Sequence, residues 1–183
     1  DDICLTEDDF KLKQETIRGV NYKCFDSKIS NLNDYFKLSL KYPDNDMLVF
    51  DNERYTFQSC YDLSSAFANA LIERFKIKKG DRIAIASRNY PEWINSFIAI
   101  TSIGGIAVPL NSWWTKDELK YGIENCGAKI IIVDDKRYDL IETFADTDNL
   151  SLISIRCNTS DDLNWDNLIK PFSKLKMPNI EIN

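Results

Sequence analysis

A chain of 183 residues without a single histidine is closed to much familiar enzyme chemistry. Within these residues there is no Ser-His-Asp or Cys-His nucleophile, no imidazole base and no His-ligated zinc or iron. A metal would have to rest on carboxylates. The acidic pairs Asp44/Asp46, Asp134/Asp135 and Asp146/Asp148 lack the spaced Gly and Glu of a calcium loop, and they read as solvated loop carboxylates. Phosphate chemistry needs a glycine-rich turn between a strand and a helix. The one Gly-Gly pair, Gly104-Gly105, precedes a strand and reads as a helix C-cap. No Gly-Lys-Ser/Thr follows any strand, and Lys78-Lys79-Gly80-Asp81 reads as a turn into a sheet. These residues therefore hold no self-contained nucleotide phosphate site.

The remaining reactive or recognition groups are few. The 5 cysteines, at positions 4, 24, 60, 126 and 157, are an odd number without a Cys-x-x-Cys pair. They are expected to be reduced and mostly buried. Asn149 and Asn158 head chance glycosylation sequons. Trp113-Trp114 is more informative. Two adjacent indoles cannot share one side of a regular element, so one is expected at a surface or interface just beyond a strand end.

The elements that must position these groups are legible from period and punctuation. Residues up to about 30 are polar with weak periodicity and are expected to be irregular with one short strand. Apolar positions 32, 35, 36 and 40 predict a helix capped by Asn31 or Asn33 and stopped by Pro43. Met47–Phe50 and Tyr55–Phe57 flank a polar turn and predict a hairpin. A helix over 58–75, capped by Thr56 or Ser59, follows. Strands are then predicted at 82–87, 106–110, 129–133 and 150–155. Helices alternate with them, opening at Pro91, spanning 116–125 after the cap Thr115, spanning 138–144, and weakly over 165–172. This alternation predicts an α/β fold: a doubly wound, mainly parallel sheet with helices on both faces. The division expected is an N-terminal extension and helix over 1–46, then an α/β subdomain over 47–183.

Composition narrows the partners. The chain is 44% hydrophobic and 28% charged, with net charge −6. That is an ordinary globular balance with no cationic face for nucleic acid. No apolar run is long enough to span a bilayer. The opening Asp1-Asp2-Ile3-Cys4 is unlike a secretory signal, so a cytoplasmic setting is expected. With no initiator Met and a linker-like ending, the sequence reads as a piece of something longer.

Several blocks, in order, resemble one family. They are Tyr55-Thr56-Phe57, Ala68-Asn69-Ala70-Leu71, Lys79-Gly80-Asp81-Arg82-Ile83-Ala84-Ile85, Asn89-Tyr90-Pro91-Glu92-Trp93, Gly105–Asn111 and Gly127–Asp134. Over roughly residues 16 to 145 the chain looks like the N-terminal subdomain of the AMP-forming acyl-CoA synthetases, in the adenylate-forming superfamily. Asn89–Trp93 together with Pro109–Thr115 resembles most the fatty-acid–CoA ligase branch.

The resemblance implies a parent enzyme that uses Mg·ATP (ATP with Mg2+) to convert a fatty acid to an acyl-adenylate. It then passes the acyl group to the thiol of coenzyme A. The phosphate loop of that family would begin after position 183, so no catalytic residue is expected here and the piece alone is expected to be inactive. By the same resemblance, coenzyme A's adenosine end would touch Asn111, Ser112 and Trp113, and the basic pair Lys136 and Arg137. Two alternatives stand beside this reading: an adenylation domain of a peptide-synthetase-like or aryl-acid-activating enzyme, and a non-catalytic α/β interaction module. Missing neighbours also predict self-association, as a homo-oligomer, through the helix at 91–103 or the segment 163–175.

Overall fold

The computed structural model describes residues 11–26, 29, 31–145, 150–157 and 163–182. Strands β1 (Leu12–Ile17) and β2 (Val20–Phe25) pair antiparallel. This corrects the expectation of a single short strand. Arg18 and Gly19 both take positive φ, 50° and 82°, which is the turn that matches strand twist in a tight hairpin. Alternation is missing because neither face of the hairpin meets a core; Ile17, Val20, Tyr22 and Phe25 are all exposed.

Helix α1 (Leu32–Leu38) is capped by Asn31, whose side chain accepts from the Asp34 amide, and it tightens into a 3-10 turn at Ser39–Lys41. Asn33 is instead buried. The hairpin of β3 (Asp46–Phe50) and β4 (Glu53–Thr56) leads into α2 (Phe57–Phe75). Thr56 caps that helix by accepting from the Ser59 amide.

The sheet follows in strict alternation. β5 (Arg82–Ala86) is followed by α3 (Pro91–Ser102), β6 (Ile106–Pro109) and α4 (Lys116–Cys126). Then come β7 (Ile130–Asp134), α5 (Asp135–Ala145), β8 (Ser151–Ile155) and the short α6 (Trp165–Ile169), which ends in a 3-10 turn at Lys170–Phe172. Strand order is β6-β5-β7-β8, and every pairing is parallel. α5 begins at Asp135, ahead of the predicted 138, because the Asp134 carboxylate accepts from the Arg137 amide as a cap does.

Alternate side chains of each central strand feed two cores. Ile83, Ile85, Ile130, Ile132, Ile153 and Ile155 pack under α2, α3 and α6. Ala84, Ala86, Ile131 and Val133 pack under α4 and α5. The sheet is covered on both faces, which is why its strands read as continuous apolar runs.

The self-association expected through α3 finds no support in the exposure of that helix. None of its side chains is exposed. Its flanks are taken up by α2, α1 and β3. In the last segment Trp165, Leu168 and Ile169 are buried, and Leu175 is the exposed large apolar residue. The cysteines also depart from expectation: among the described ones Cys60 is buried, whereas Cys24, Cys126 and Cys157 are partly exposed thiols. The acidic pair Asp146/Asp148 and the sequon residues Asn149 and Asn158 lie outside the described residues. Among the described residues no helix is long and apolar enough to cross a membrane.

One clamp joins the layers at the sheet's end. Arg156 takes φ +53° just past β8. It donates to both carboxylate oxygens of Glu53 at 2.8 Å and, through Nε, to Glu92 at 3.0 Å. Its guanidinium also lies 4.9 Å from the Phe50 ring centre and 5.0 Å from that of Tyr90. The charge is thus paired, hydrogen-bonded and stacked at once.

Candidate functional site

In an open parallel sheet, ligands gather where successive connections leave toward opposite sides, beyond the carboxyl ends of the strands. Here β5 leads to β6 on one side, while its other neighbour is β7. The crevice therefore lies beyond Ala86 and Asp134, with the loop after Pro109 beside it.

Asp134 organises that crevice. Its carboxylate is buried to 1% exposure. Oδ2 accepts from the Arg88 amide at 2.9 Å, which ties the end of β7 to the loop after β5. Oδ1 accepts from the Arg137 amide at 3.2 Å, and both oxygens receive the Arg137 guanidinium at 3.1 and 3.2 Å. A buried carboxylate is tolerated when its lone pairs are met in this way.

Arg137 carries the connection to the third loop. It is 5% exposed, and its Nε donates to the Ser112 carbonyl at 2.6 Å, where a terminal nitrogen also donates. Asn111 then shapes the turn, accepting from the Trp113 amide at 2.9 Å through its side chain. This is an Asx turn, and it separates the two tryptophans. Trp114 packs inward with Leu110, and a Cβ on Gly122 would fall 2.8 Å from its Cζ3. Trp113 stands out with 77% exposure. The Arg88 guanidinium lies 5.4 Å from the Trp113 ring centre.

The structure thus brings Asn111, Ser112, Trp113 and Arg137 together, while Lys136 is exposed on the first turn of α5. Arg137 is no loose surface cation; its donors hold the Asn111–Trp113 loop in place. Arg88 escaped sequence reasoning as a cation at the loop, and Asp134, expected as a solvated loop carboxylate, is instead a buried strand-end residue whose lone pairs are met by Arg88 and Arg137. The available signal was position, since each lies just past a buried apolar run, Ile83–Ala86 or Ile130–Val133.

On the other side of the β5–α3 connection is an apolar cavity of about 420 Å³, lined by Leu48, Phe50, Tyr90, Pro91, Trp93 and Ile94. Arg156 fixes its walls by holding the hairpin and the start of α3 together. The same arrangement lowers the Glu53 carboxyl to about 2, through hydrogen bonds from Arg156 and then Tyr55. Among the described residues no three His, Cys, Asp or Glu side chains converge to hold a metal.

The profile of the family described as AMP-binding enzyme matches residues 37–176. The chain belongs to the AMP-binding enzyme family. Among relatives of this AMP-binding family member is the 2-succinylbenzoate–CoA ligase of Bacillus velezensis. It is 33% identical over 112 residues, which are 59% of this chain and 23% of the relative. Another is 4-hydroxybutyrate–CoA ligase 2 of Metallosphaera sedula, 33% identical over 101 residues, which are 55% of this chain and 17% of that protein. The chain therefore spans about a fifth of the length of these relatives. A solved structure with the same fold is the anthranilate CoA ligase AuaEII in complex with anthranoyl-AMP. Its TM-score is 0.73 at 22% identity, covering 82% of this chain and 29% of that one. The doubly wound sheet is thus the fold of adenylate-forming ligases.

Proposed function

We propose that this chain forms the N-terminal α/β scaffold of an ATP-dependent fatty-acid–CoA ligase of the cytoplasm. Family membership supports the adenylate-forming chemistry: carboxylate and ATP yield acyl-AMP and pyrophosphate, then the thiol of coenzyme A displaces AMP. The blocks Asn89–Trp93 and Pro109–Thr115 favour a fatty acid. The relatives act, by name, on chemically different acids, and an aryl acid or an aminoacyl substrate of a peptide-synthetase-like enzyme is the competing reading.

ATP, Mg2+ and coenzyme A belong to the whole protein. The residues of this chain do not fit Mg·ATP, because they contain no glycine-rich phosphate loop and the described ones gather no acidic cluster. They do fit the nucleotide end of coenzyme A. An exposed indole, Trp113, stands on a loop that Arg137 fixes through the Ser112 carbonyl and Asn111 shapes by its side chain, with Lys136 exposed nearby in sequence. That fixed loop with its presented ring is the observation that carries this reading. Its share in the reaction is to bind and orient, since a preset ring costs little ordering when the ligand arrives.

ATP–pyrophosphate exchange tests the proposal. The whole protein is expected to exchange with medium- or long-chain fatty acids and to make their CoA thioesters, whereas the chain of residues 1–183 alone exchanges at background. Exchange with aryl or amino acids only would overturn the fatty-acid assignment, and exchange by the isolated chain would overturn its role as a scaffold.

A further inference from the structure

Helix α1 is built inside out. Its polar Asn33 is buried, while Leu32, Tyr35 and Leu38 face solvent, followed by Tyr42 just past the 3-10 turn. A run of exposed apolar side chains on one short helix marks a surface that meets something other than water. Beside it lies a groove of about 620 Å³, floored by Gln58, Tyr61 and Asp62 of α2. Lys37 and Leu40 form one wall, and Lys174, Leu175 and Lys176 form the other. Asn69 on α2 fixes the second wall by donating to the Lys176 carbonyl at 3.0 Å. Leu175 is exposed between its two lysines.

The charge at this groove runs against that of the chain. Net charge is −6, yet Lys37, Lys174 and Lys176 line the groove, and Lys41 and Lys170 adjoin its walls in sequence. All five are exposed. Lys37 meets Asp34 at 3.4 Å on the surface, and none of the other four is in an ion pair among the described residues. The carboxylates facing them are Asp34 and Asp62, so cations are in excess. We propose that α1 and the segment 173–177 form a docking surface for an anionic lipid bilayer. The lysines take the headgroup anions, and the exposed apolar side chains enter the acyl boundary. An acidic peptide seated in the groove would pair with the lysines but leave the outer face of α1 uncovered. A bilayer resting on α1 meets both, because lysine stems are long enough to reach from the groove walls to its plane. Tyr35 and Tyr42 suit that boundary, where a phenol keeps its hydroxyl among headgroups and buries its ring.

The test is co-sedimentation of the chain with vesicles of phosphatidylcholine alone and of phosphatidylcholine mixed two to one with phosphatidylserine. Binding to the mixed vesicles is expected to be about tenfold tighter or more, with the difference shrinking in high salt. Lys174→Gln with Lys176→Gln should weaken binding to the mixed vesicles about twenty-fivefold, about fivefold for each lysine near an anionic surface. Lys78→Gln with Lys116→Gln removes two exposed lysines elsewhere, changes net charge equally and should leave binding nearly unaltered. Tyr35→Ser with Leu175→Ser should weaken binding to the mixed vesicles while preserving its salt dependence. Circular dichroism is expected to show the same fold in every variant, since the altered positions are exposed. No binding to the mixed vesicles, equal binding to both kinds, or equal losses in the two lysine pairs would overturn the proposal. Unchanged binding in the Tyr35 and Leu175 variant would overturn it too, and capture of soluble poly-glutamate by the same lysines would then assign the groove to an acidic protein.

Discussion

The Asp134 carboxylate and the Arg88 amide are 2.9 Å apart across 46 residues of sequence. Through that bond, the end of one strand fixes the loop that leaves its neighbour. The same carboxylate holds Arg137, so a single buried anion sets both the Arg88 loop and, through Ser112, the Trp113 loop.

Asp134→Ala removes that anion and strands the Arg137 guanidinium, which is itself 5% exposed. Breaking one side of a buried pair costs about 3–5 kcal/mol. Urea unfolding is expected to show a loss of that size, and Trp113 fluorescence in the native baseline should change as its loop is released. Asp134→Asn keeps an acceptor for the Arg88 amide and should lose less.

Stability should fall in acid through Glu53. Hydrogen bonds from Arg156, then Tyr55, lower its folded carboxyl from 4.5 to about 2. A depressed carboxyl stabilises above its unfolded value, and that contribution disappears as pH falls from about 4.5 toward about 2. The urea midpoint is expected to drop across this window. Glu53→Gln should start lower at neutral pH and show a shallower drop. An identical pH profile in the variant would contradict the role given to the Arg156 clamp.

Gly122→Ala tests the inward indole. Alanine favours the interior of α4 by about 1 kcal/mol, but its Cβ would meet Trp114 Cζ3 at 2.8 Å. Overpacking costs about 1–3 kcal/mol, so the clash is expected to outweigh the helical gain. Differential scanning calorimetry should show a lowered Tm, and Trp114→Leu should relieve the penalty in the double variant.

Thiol reactivity should separate Cys60 from the rest. Burial pushes its thiol up to about 11, and the side chain has no exposed surface. Native protein treated with a disulfide reagent is expected to modify Cys60 only at the rate of unfolding, whereas Cys24 and Cys126, which are partly exposed, react first. Mass spectrometry of partly labelled protein gives the order.

How much was legible follows from where each signal resides. The elements from α1 to α6 could be read because their causes are local. Ile130–Val133 is an apolar run that suits a strand covered on both faces, and Thr115 with Glu118 forms a capping box inside one turn. Pro91 at the start of α3 and Gly127 at the end of α4 are likewise local punctuation. The hairpin over Leu12–Phe25 was missed because strands exposed on both faces carry no alternation to read.

By itself the sequence determined an alternating α/β chain, the two-faced burial of its strands, and the separation of Trp113 from Trp114. Only the tertiary structure decided the strand order, the burial of Arg137 and the company of Arg88. The only local difference between Arg137 and Lys136 beside it is Asp134, three residues before Arg137; the second acceptor, the Ser112 carbonyl, is 25 residues away. One is buried and the other exposed because Asp134 and the Ser112 carbonyl, brought in by two different strand ends, supply acceptors on one side of α5. Helix and strand periods act over a few residues, whereas a site at the carboxyl edge is assembled by parallel pairing over tens of residues, and its electrostatics exist only once those strands are side by side.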